Sequence, residues 1–164
     1  MTNLTIENFT IADLETLTNL QNAVVNCVCK TAYLPAQLAV LTKTQAQLSE
    51  DITSENCLVA KLSGKIVAFA SLNDKKFITN FFVDNNFQNK NIGSELLNEI
   101  VKLARKNNFP YIFALSTTNA KTFFEKHGFV SVKEKEVLIN NICVVKELMT
   151  LQLAEMDFIK TIYK

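Results

Sequence analysis

A short run of mostly polar residues lies where a predicted strand passes into a predicted helix. The run reads Gln88, Asn89, Lys90, Asn91, Ile92, Gly93 and Ser94. A strand that feeds such a turn aims free backbone N–H groups and the positive end of the helix at one point. That arrangement suits a phosphate or pyrophosphate group. A nucleotide hydrolase of the phosphate-loop class fits poorly, because no Gly-Lys-Ser/Thr sequence follows the turn.

A second distinctive segment runs from Asn119 to Phe129, with the sequence Asn-Ala-Lys-Thr-Phe-Phe-Glu-Lys-His-Gly-Phe. We predict a short helix up to Lys126, which Gly128 ends in a left-handed conformation. His127 is expected to cap this helix or to lie at the surface. A lone histidine without a partner that the sequence identifies is a weak catalytic candidate.

Hydrophobic spacing predicts the elements that hold these two segments in place. Helices are predicted from about Ala12, from near Pro35 with Leu38, Leu41 and Leu48 on one side, and from Ile92. Residues 49–55 are predicted as a loop, and the tail 155–164 as an extra helical turn or two. Strands are predicted at 4–9, Cys57–Leu62, Lys65–Leu72, Phe77–Val83, 111–115, 129–139 and 142–153.

The order of these elements predicts one mixed sheet. Tight turns join three successive strands into an antiparallel meander. The strand–helix–strand unit over residues 77–115 is instead expected to be parallel, with a right-handed crossover. We therefore predict an α/β fold, in the α+β mixed-sheet sense, that is mostly antiparallel with one parallel strand pair and helices on both faces. A single domain over residues 1–164 is expected.

Composition argues against several classes of partner. The formal net charge of +1 creates no basic field for nucleic acid. The apolar runs are too short to cross a bilayer and the N-terminus does not look like a signal segment, so we expect a cytoplasmic protein without membrane attachment. The cysteines match no metal-binding spacing, and we expect reduced, mostly buried thiols and no metal. They are Cys27, Cys29, Cys57 and Cys143.

Taken together, the two segments and the order of elements resemble the GNAT superfamily of acyl-CoA N-acyltransferases. The family's loop is commonly Gln/Arg-x-x-Gly-x-Gly/Ala before a helix, and residues 88–93 occupy that place. The later family segment often begins with Asn-Ala and ends with Gly-Phe, as residues 119–129 do. The resemblance covers residues 4–153. It implies a GNAT-like fold in which the two parallel strands splay apart.

The resemblance also implies a function and a cofactor site. The expected activity transfers an acetyl group from acetyl-CoA to a primary amine of a small molecule, amino acid or peptide by direct attack. Backbone groups of Phe82 and Val83 would pair with the pantetheine arm of coenzyme A, and Asn119 would reach its pantetheine or adenosine end. The pyrophosphate would be held by Gln88, Asn89, Lys90, Asn91, Ile92, Gly93 and Ser94. Formation of a homodimer is left open.

Two residues depart from the family pattern. Asn91 stands where the first loop glycine is usual, and asparagine is one of the few other residues that tolerate a positive φ. Asparagine is also suited to cap the following helix. Phe124 stands beside the expected cofactor, where many family members have a tyrosine that protonates the leaving thiolate. Phenylalanine has no proton to donate, and its alternative role is that of a core aromatic.

The catalytic groups stay open at this level. Asn80 is the one amide in the strand Phe77–Val83, which has no acid, and Ser116, Thr117, Thr118 or water could replace the missing acid. Tyr33 and Asn80 are the expected substrate contacts. The missing acid and base also allow another class of function, a non-catalytic acyl-CoA-binding sensor or interaction domain of the same fold.

Overall fold

Residues 3–154, which a computed structural model describes, form a seven-stranded sheet flanked by five α-helices. The strands are β1 (Leu4–Asn8), β2 (Cys57–Leu62), β3 (Lys65–Leu72), β4 (Phe77–Val83), β5 (Tyr111–Ser116), β6 (Val130–Ile139) and β7 (Ile142–Gln152). The helices are α1 (Leu14–Val28), α2 (Pro35–Leu41), α3 (Gln45–Asp51), α4 (Ile92–Lys106) and α5 (Lys121–Lys126). Short 3-10 turns flank several of them. This mixed α/β architecture confirms the predicted fold class.

The sheet has the strand order β1-β2-β3-β4-β5-β7-β6, and every neighbouring pair is antiparallel except β4 and β5. The parallel pair is short, since only Phe77 with Phe113 and Ile78 with Ala114 lie opposite each other. Beyond Ile78, β4 keeps its antiparallel partner β3, and β5 keeps β7. The two parallel strands therefore separate toward their carboxyl ends, as the family resemblance implied.

The two faces of the sheet are covered by different helices, which confirms the prediction of helices on both faces. On one face α4 buries an apolar stripe of Leu96, Leu97, Ile100 and Ala104, and Phe124 of α5 joins the same core cluster. On the other face α1 and α3 pack against β2 and β3 around Leu17, Leu48 and Phe69. Each helix presents apolar residues at three- and four-residue spacing, and burial of that stripe orients it against the sheet.

The prediction of one helix from Pro35 that reaches Leu48 is wrong. Two helices occupy this stretch, and Ser49 to Asp51, predicted as loop, are helical in α3. The chain breaks at Lys43, because its backbone N–H and C=O both bond to the side chain of Asn22 on α1, each at 2.9 Å. Thr44 then caps α3 by accepting a hydrogen bond from the backbone N–H of Gln47 at 3.2 Å. This contact between distant segments overrides the local helical pattern.

The described residues include no helix long and apolar enough to cross a membrane. The predicted helical turns over 155–164 lie outside the described residues, and the single domain over 1–164 stays a prediction. Of the four thiols, Cys29 and Cys57 are buried whereas Cys27 and Cys143 are exposed, so the prediction of mostly buried cysteines holds for only half of them. Cys27 lies on the outer side of α1, and Cys143 lies near the end of the β6–β7 hairpin.

Candidate functional site

The separation of β4 and β5 opens a cavity of about 780 Å³ that passes between the two strands. Its walls come from α1, β4, the turn before α4, the carboxyl end of β5 and the segment that leads into α5. A cavity of this size is in the usual range for small-molecule and cofactor sites. The splayed strands thus form a slot with backbone groups along its side.

The backbone of β4 faces this slot at alternate residues. The backbone N–H of Asp84 donates to the carbonyl of Val67 at 2.8 Å, and hydrogen-bonding residues alternate along an antiparallel pair. Phe82 therefore directs its N–H and C=O toward β3, whereas Phe81 and Val83 direct theirs toward the slot. The Val83 carbonyl already accepts a hydrogen bond there from the Gln88 amide at 3.3 Å. The backbone of Phe82 therefore faces β3, contrary to the expected pairing of this residue with the pantetheine arm, although Phe82 does line the cavity. Pairing of the Val83 backbone with that arm stays a prediction.

The turn before α4 contains two non-glycine residues in the left-handed conformation. Asn89 and Asn91 both have positive φ angles, of 58° and 64°. Asn91 occupies the cap position of α4, but its side chain contacts Glu95 at 3.3 Å and makes no capping hydrogen bond. Asparagine therefore replaces glycine in the left-handed conformation, and the prediction of a side-chain cap is wrong.

Gly93 lies at the first turn of α4 in close contact with two other elements. A Cβ atom on this residue would lie 3.2 Å from Phe123 Cε2 and 3.5 Å from Val83 Cγ2. The helix start, the end of β4 and the ring of Phe123 therefore meet where a larger residue would not fit without displacement. This close approach brings the positive end of α4 to the mouth of the slot.

His127 connects the end of α5 to the start of α4. Its Nδ1 lies 2.7 Å from the Phe123 carbonyl, and its Nε2 lies 2.8 Å from Ser94 Oγ. A carbonyl only accepts, so Nδ1 carries the hydrogen, and in the neutral ring Nε2 accepts from the serine hydroxyl. The backbone N–H of His127 also caps α5, as predicted, by donating to the Phe124 carbonyl. The link to Ser94 had no signal in the sequence, because the two residues are far apart in the chain.

Phe124 is both a core residue and part of the cavity wall. Its side chain is buried, and its ring centroid lies 5.1 to 5.6 Å from those of Phe129, Phe123 and Phe81. The alternative role of Phe124 as a core aromatic residue, which the sequence suggested, is therefore confirmed. The ring also lines the cavity. It brings no proton donor to that wall.

Most of the predicted cofactor residues line the cavity. They are Phe82, Val83, Gln88, Asn89, Asn91, Gly93, Ser94, Asn119 and Phe124. Two others do not line it with their side chains. Ile92 is buried in the core, and the exposed Lys90 places its ammonium 5.1 Å from the ring centroid of Phe87. The roles of these residues in holding the cofactor stay predictions.

Asn80 is buried at the α1 side of the cavity within a polar network. Its amide nitrogen donates to Ser71 Oγ at 2.8 Å, and its oxygen accepts from Lys43 Nζ at 3.2 Å. Lys43 also forms an ion pair with Asp51. Ser116 lines the cavity as well, but its hydroxyl donates to the Thr117 carbonyl at 2.8 Å. Catalytic roles for Asn80 and Ser116 stay predictions.

Tyr33 is placed behind the cavity wall. It is buried, its hydroxyl donates to the Val145 carbonyl at 2.8 Å, and the hydroxyl accepts from the backbone N–H of Thr118 at 3.1 Å. It is not among the described residues that line the cavity. The tyrosine thus holds β7 and the segment before α5 together, and substrate contact by Tyr33 stays a prediction.

Several lining residues were missed by the reasoning from sequence. They include Gln21, Cys29, Lys43 and Lys146. Gln21 interrupts the buried stripe of α1, and Lys146 takes a position on β7 where strand alternation predicts an apolar residue. A polar residue on a predicted apolar face was the available signal for both. No such signal was available for Lys43. This residue lies at the break between α2 and α3, which the sequence pattern did not predict.

The electrostatic environment at this end of the cavity is positive. Burial lowers the pKa of Lys146, and the nearby charge of Lys43 lowers it further. Burial raises the pKa of the Cys29 thiol. A hydrogen bond with Asn119 lowers this pKa, but the effect of burial is larger, so the thiol is protonated at neutral pH. Among residues 3–154, no aspartate or glutamate lines the cavity. The same part of the chain contains no group of three or more His, Cys, Asp or Glu that could hold a metal ion.

Comparisons with known proteins agree with this geometry. Residues 29–152 match the family model of the acetyltransferase (GNAT) domain. The uncharacterized N-acetyltransferase YafP of Escherichia coli (strain K12) is 25% identical over 138 residues, which cover 84% of this chain and 88% of YafP.

Two solved structures share the fold. A GCN5-related N-acetyltransferase (aminotransferase, class-II) from Rhodopseudomonas palustris superposes with a TM-score of 0.87 at 23% identity, over 93% of this chain and 98% of that one. YncA of Salmonella typhimurium, a putative acetyltransferase solved with its cofactor acetyl-CoA, has a TM-score of 0.65 at 20% identity, over 94% of this chain and 96% of YncA. Because the family model matches most of the sequence, the chain belongs to the GNAT acetyltransferase family.

Proposed function

We propose that this GNAT enzyme transfers an acetyl group from acetyl-CoA to the primary amine of a small molecule, amino acid or peptide by direct attack. The observation that carries the proposal is the slot between β4 and β5, which leads to the turn before α4. An extended pantetheine arm fits the slot by pairing with the backbone groups of Phe81 and with the backbone N–H of Val83, whose carbonyl is already bonded to Gln88. The pyrophosphate then lies at the start of α4, where backbone N–H groups and the helix dipole favour negative charge.

The acetyl carbonyl would lie on the α1 side of the slot, close to Asn80. An amine bound there attacks the carbonyl carbon, the C–N bond forms, and the C–S bond breaks to release coenzyme A as the thiolate. Backbone N–H groups of β4 that β3 and β5 leave free are available to stabilise the oxyanion. Placement of the two reactants in one cavity supplies much of the acceleration.

A non-catalytic acyl-CoA-binding sensor is the second candidate. The observation that favours it is a cavity wall that contains no carboxylate and no tyrosine within residues 3–154. An ammonium acceptor must lose a proton, and the thiolate must gain one, without an assigned group for either step.

Two measurements test the proposal. Calorimetric titration with acetyl-CoA should give saturable binding, and incubation with a broad panel of amines should give N-acetyl products by mass spectrometry. Binding without any product would favour the sensor. Absence of binding at millimolar acetyl-CoA would contradict both candidates. Thiol-reactive dyes are unsuitable for detecting released coenzyme A, because Cys27 and Cys143 are exposed.

Gly93→Val is expected to weaken acetyl-CoA binding while the fold is retained. The added side chain must displace Phe123 or the start of α4, since even a Cβ lies 3.2 Å from that ring. Displacement of the start of α4 removes backbone N–H groups from the pyrophosphate, and loss of one hydrogen bond to a charged group, about 1.5–3 kcal/mol, raises the dissociation constant roughly 10- to 100-fold. Calorimetry measures the change. Asn98→Val, on the exposed side of α4, is the matched control, and equal affinity in both variants would contradict the expectation.

The cytoplasmic location and the homodimer stay predictions from the sequence.

A further inference from the structure

We propose that the α1 side of the cavity binds an acceptor that carries a carboxylate beside its amine, with Lys43 and Lys146 recognising the carboxylate. This inference rests on the proposed acetyl transfer and specifies the acceptor as an amino acid with a free carboxylate.

The two lysines reach the cavity from opposite sides of the slot. Lys43 contacts Asn80 on β4, at 3.2 Å from its amide oxygen, whereas Lys146 lies on β7, the neighbour of β5. Both line the same cavity, and the repulsive charge of Lys43 contributes to the lowered pKa of Lys146. A bound anion between them would relieve that repulsion.

The local charge matches one carboxylate. Lys43 is already paired with Asp51, and Asp51 does not line the cavity. Within residues 3–154, Lys146 forms no ion pair or hydrogen bond with another side chain, although it is half-buried. One uncompensated positive charge in a partly buried wall favours a monoanion, and a phosphate dianion or a polycationic acceptor fits less well.

Gln21 lies on the same side of the cavity as Lys43 but is not assigned to the acceptor. The residue is 1% exposed and is among those that line the cavity. Its amide oxygen has no hydrogen-bond partner among the described residues, but less than 1 Å² of this atom is accessible to water, so the oxygen does not face the cavity. Recognition of the acceptor therefore rests on the two lysines.

The test compares each of several amino acids with its own carboxamide as the acceptor. The two compounds differ only at the carboxyl group, which is a charged acceptor in the acid and a neutral amide with N–H donors in the carboxamide. The ammonium group of the carboxamide is more acidic than that of the acid, so more of the carboxamide is present as the reactive free amine. A faster reaction of the acid would therefore show that the protein recognises its carboxylate. We expect kcat/KM to be roughly 10- to 100-fold higher for the acid, the effect of a charged hydrogen bond in a partly buried site.

Lys146→Met should remove this preference. The substitution keeps most of the apolar volume of the side chain, and we expect kcat/KM for the acids to fall about 10-fold or more relative to that for the carboxamides. Lys133→Met, an exposed lysine on β6, is the control and should retain the preference. The dissociation constant for acetyl-CoA should not change in either variant, which separates acceptor recognition from loss of the fold.

Each outcome decides the question. Carboxamides or simple amines that react as well as the acids would overturn the carboxylate site and leave acetyl transfer standing. If no amine reacts, acetyl transfer fails, and titration of amino acids into the coenzyme A-loaded protein then decides on the site alone. The carboxylate site would be supported if binding heat appears for the acids, is absent for the carboxamides and is lost in Lys146→Met. No heat for any amino acid would overturn it.

Discussion

Phe124→Tyr is expected to raise the rate of acetyl transfer by about 10²-fold, the lower end of the usual effect of a positioned general acid. The ring lines the cavity beside Phe81 of β4, so a phenol hydroxyl there adds a proton donor next to the leaving thiolate. The gain should disappear as pH rises above ~10, where an ordinary tyrosine loses its proton. Product formation at saturating acetyl-CoA, followed by mass spectrometry across pH, measures both effects.

Phe129→Tyr is the matched control for this substitution. Its ring lies 5.1 Å from that of Phe124 and is equally buried, but it does not line the cavity. We expect no rate gain from it. An unchanged rate in Phe124→Tyr, with acetyl-CoA affinity retained, would contradict the expectation and would mean that the thiolate leaves without a side-chain acid.

The positive charge near Asn80 bears on the other proton. An ammonium with a reference pKa near ~10.4 must be deprotonated before it attacks. Lys43 and Lys146 disfavour a further positive charge nearby, so they lower the pKa of an acceptor ammonium that binds on the same side of the cavity. The free amine is then more abundant at neutral pH. This effect reduces the demand on a general base in a cavity wall that contains no carboxylate within residues 3–154.

Local patterns predicted the cofactor side of the molecule well. The meander and the β4–α4–β5 unit follow from alternation, tight turns and the handedness of parallel connections. The left-handed turn at Asn91 follows from the tolerance of asparagine for positive φ, and the structure has it at 64°. These features depend on residues that are close together in the chain, so local sequence patterns are sufficient to predict them.

The acceptor side depends on contacts between distant segments, and the sequence did not predict it. Asn22 bonds to the backbone of Lys43 across 21 positions, and this contact breaks the predicted helix and positions the lysine. Lys146 joins the same cavity from the far end of the chain. Helical and strand periodicity report which face of an element is buried, and they do not report which elements meet.

Raising the pH above neutrality is expected to destabilise the protein through Cys57. This thiol is fully buried in the core between α1, α3 and the sheet. Burial, with a smaller contribution from the charge of Asp13, raises its pKa from 9.0 to about 12. The unfolded chain therefore loses the thiol proton first and binds fewer protons than the folded protein between these two values. Its contribution to stability is present below pH ~9 and is lost as pH rises toward ~12.

The expected loss is about 2 kcal/mol in the free energy of unfolding between roughly pH 7.5 and 10.5, and about 4 kcal/mol once the folded thiol ionises. Urea unfolding at a series of pH values under reducing conditions measures it. Lysines and tyrosines also titrate in this range, so the informative quantity is the difference between wild type and Cys57→Ala. That variant should be less stable at neutral pH but should lose less stability on going to high pH. Cys27→Ala, at an exposed thiol, should follow the wild type. Parallel curves for wild type and Cys57→Ala would show that the Cys57 thiol ionises alike in the folded and unfolded chains.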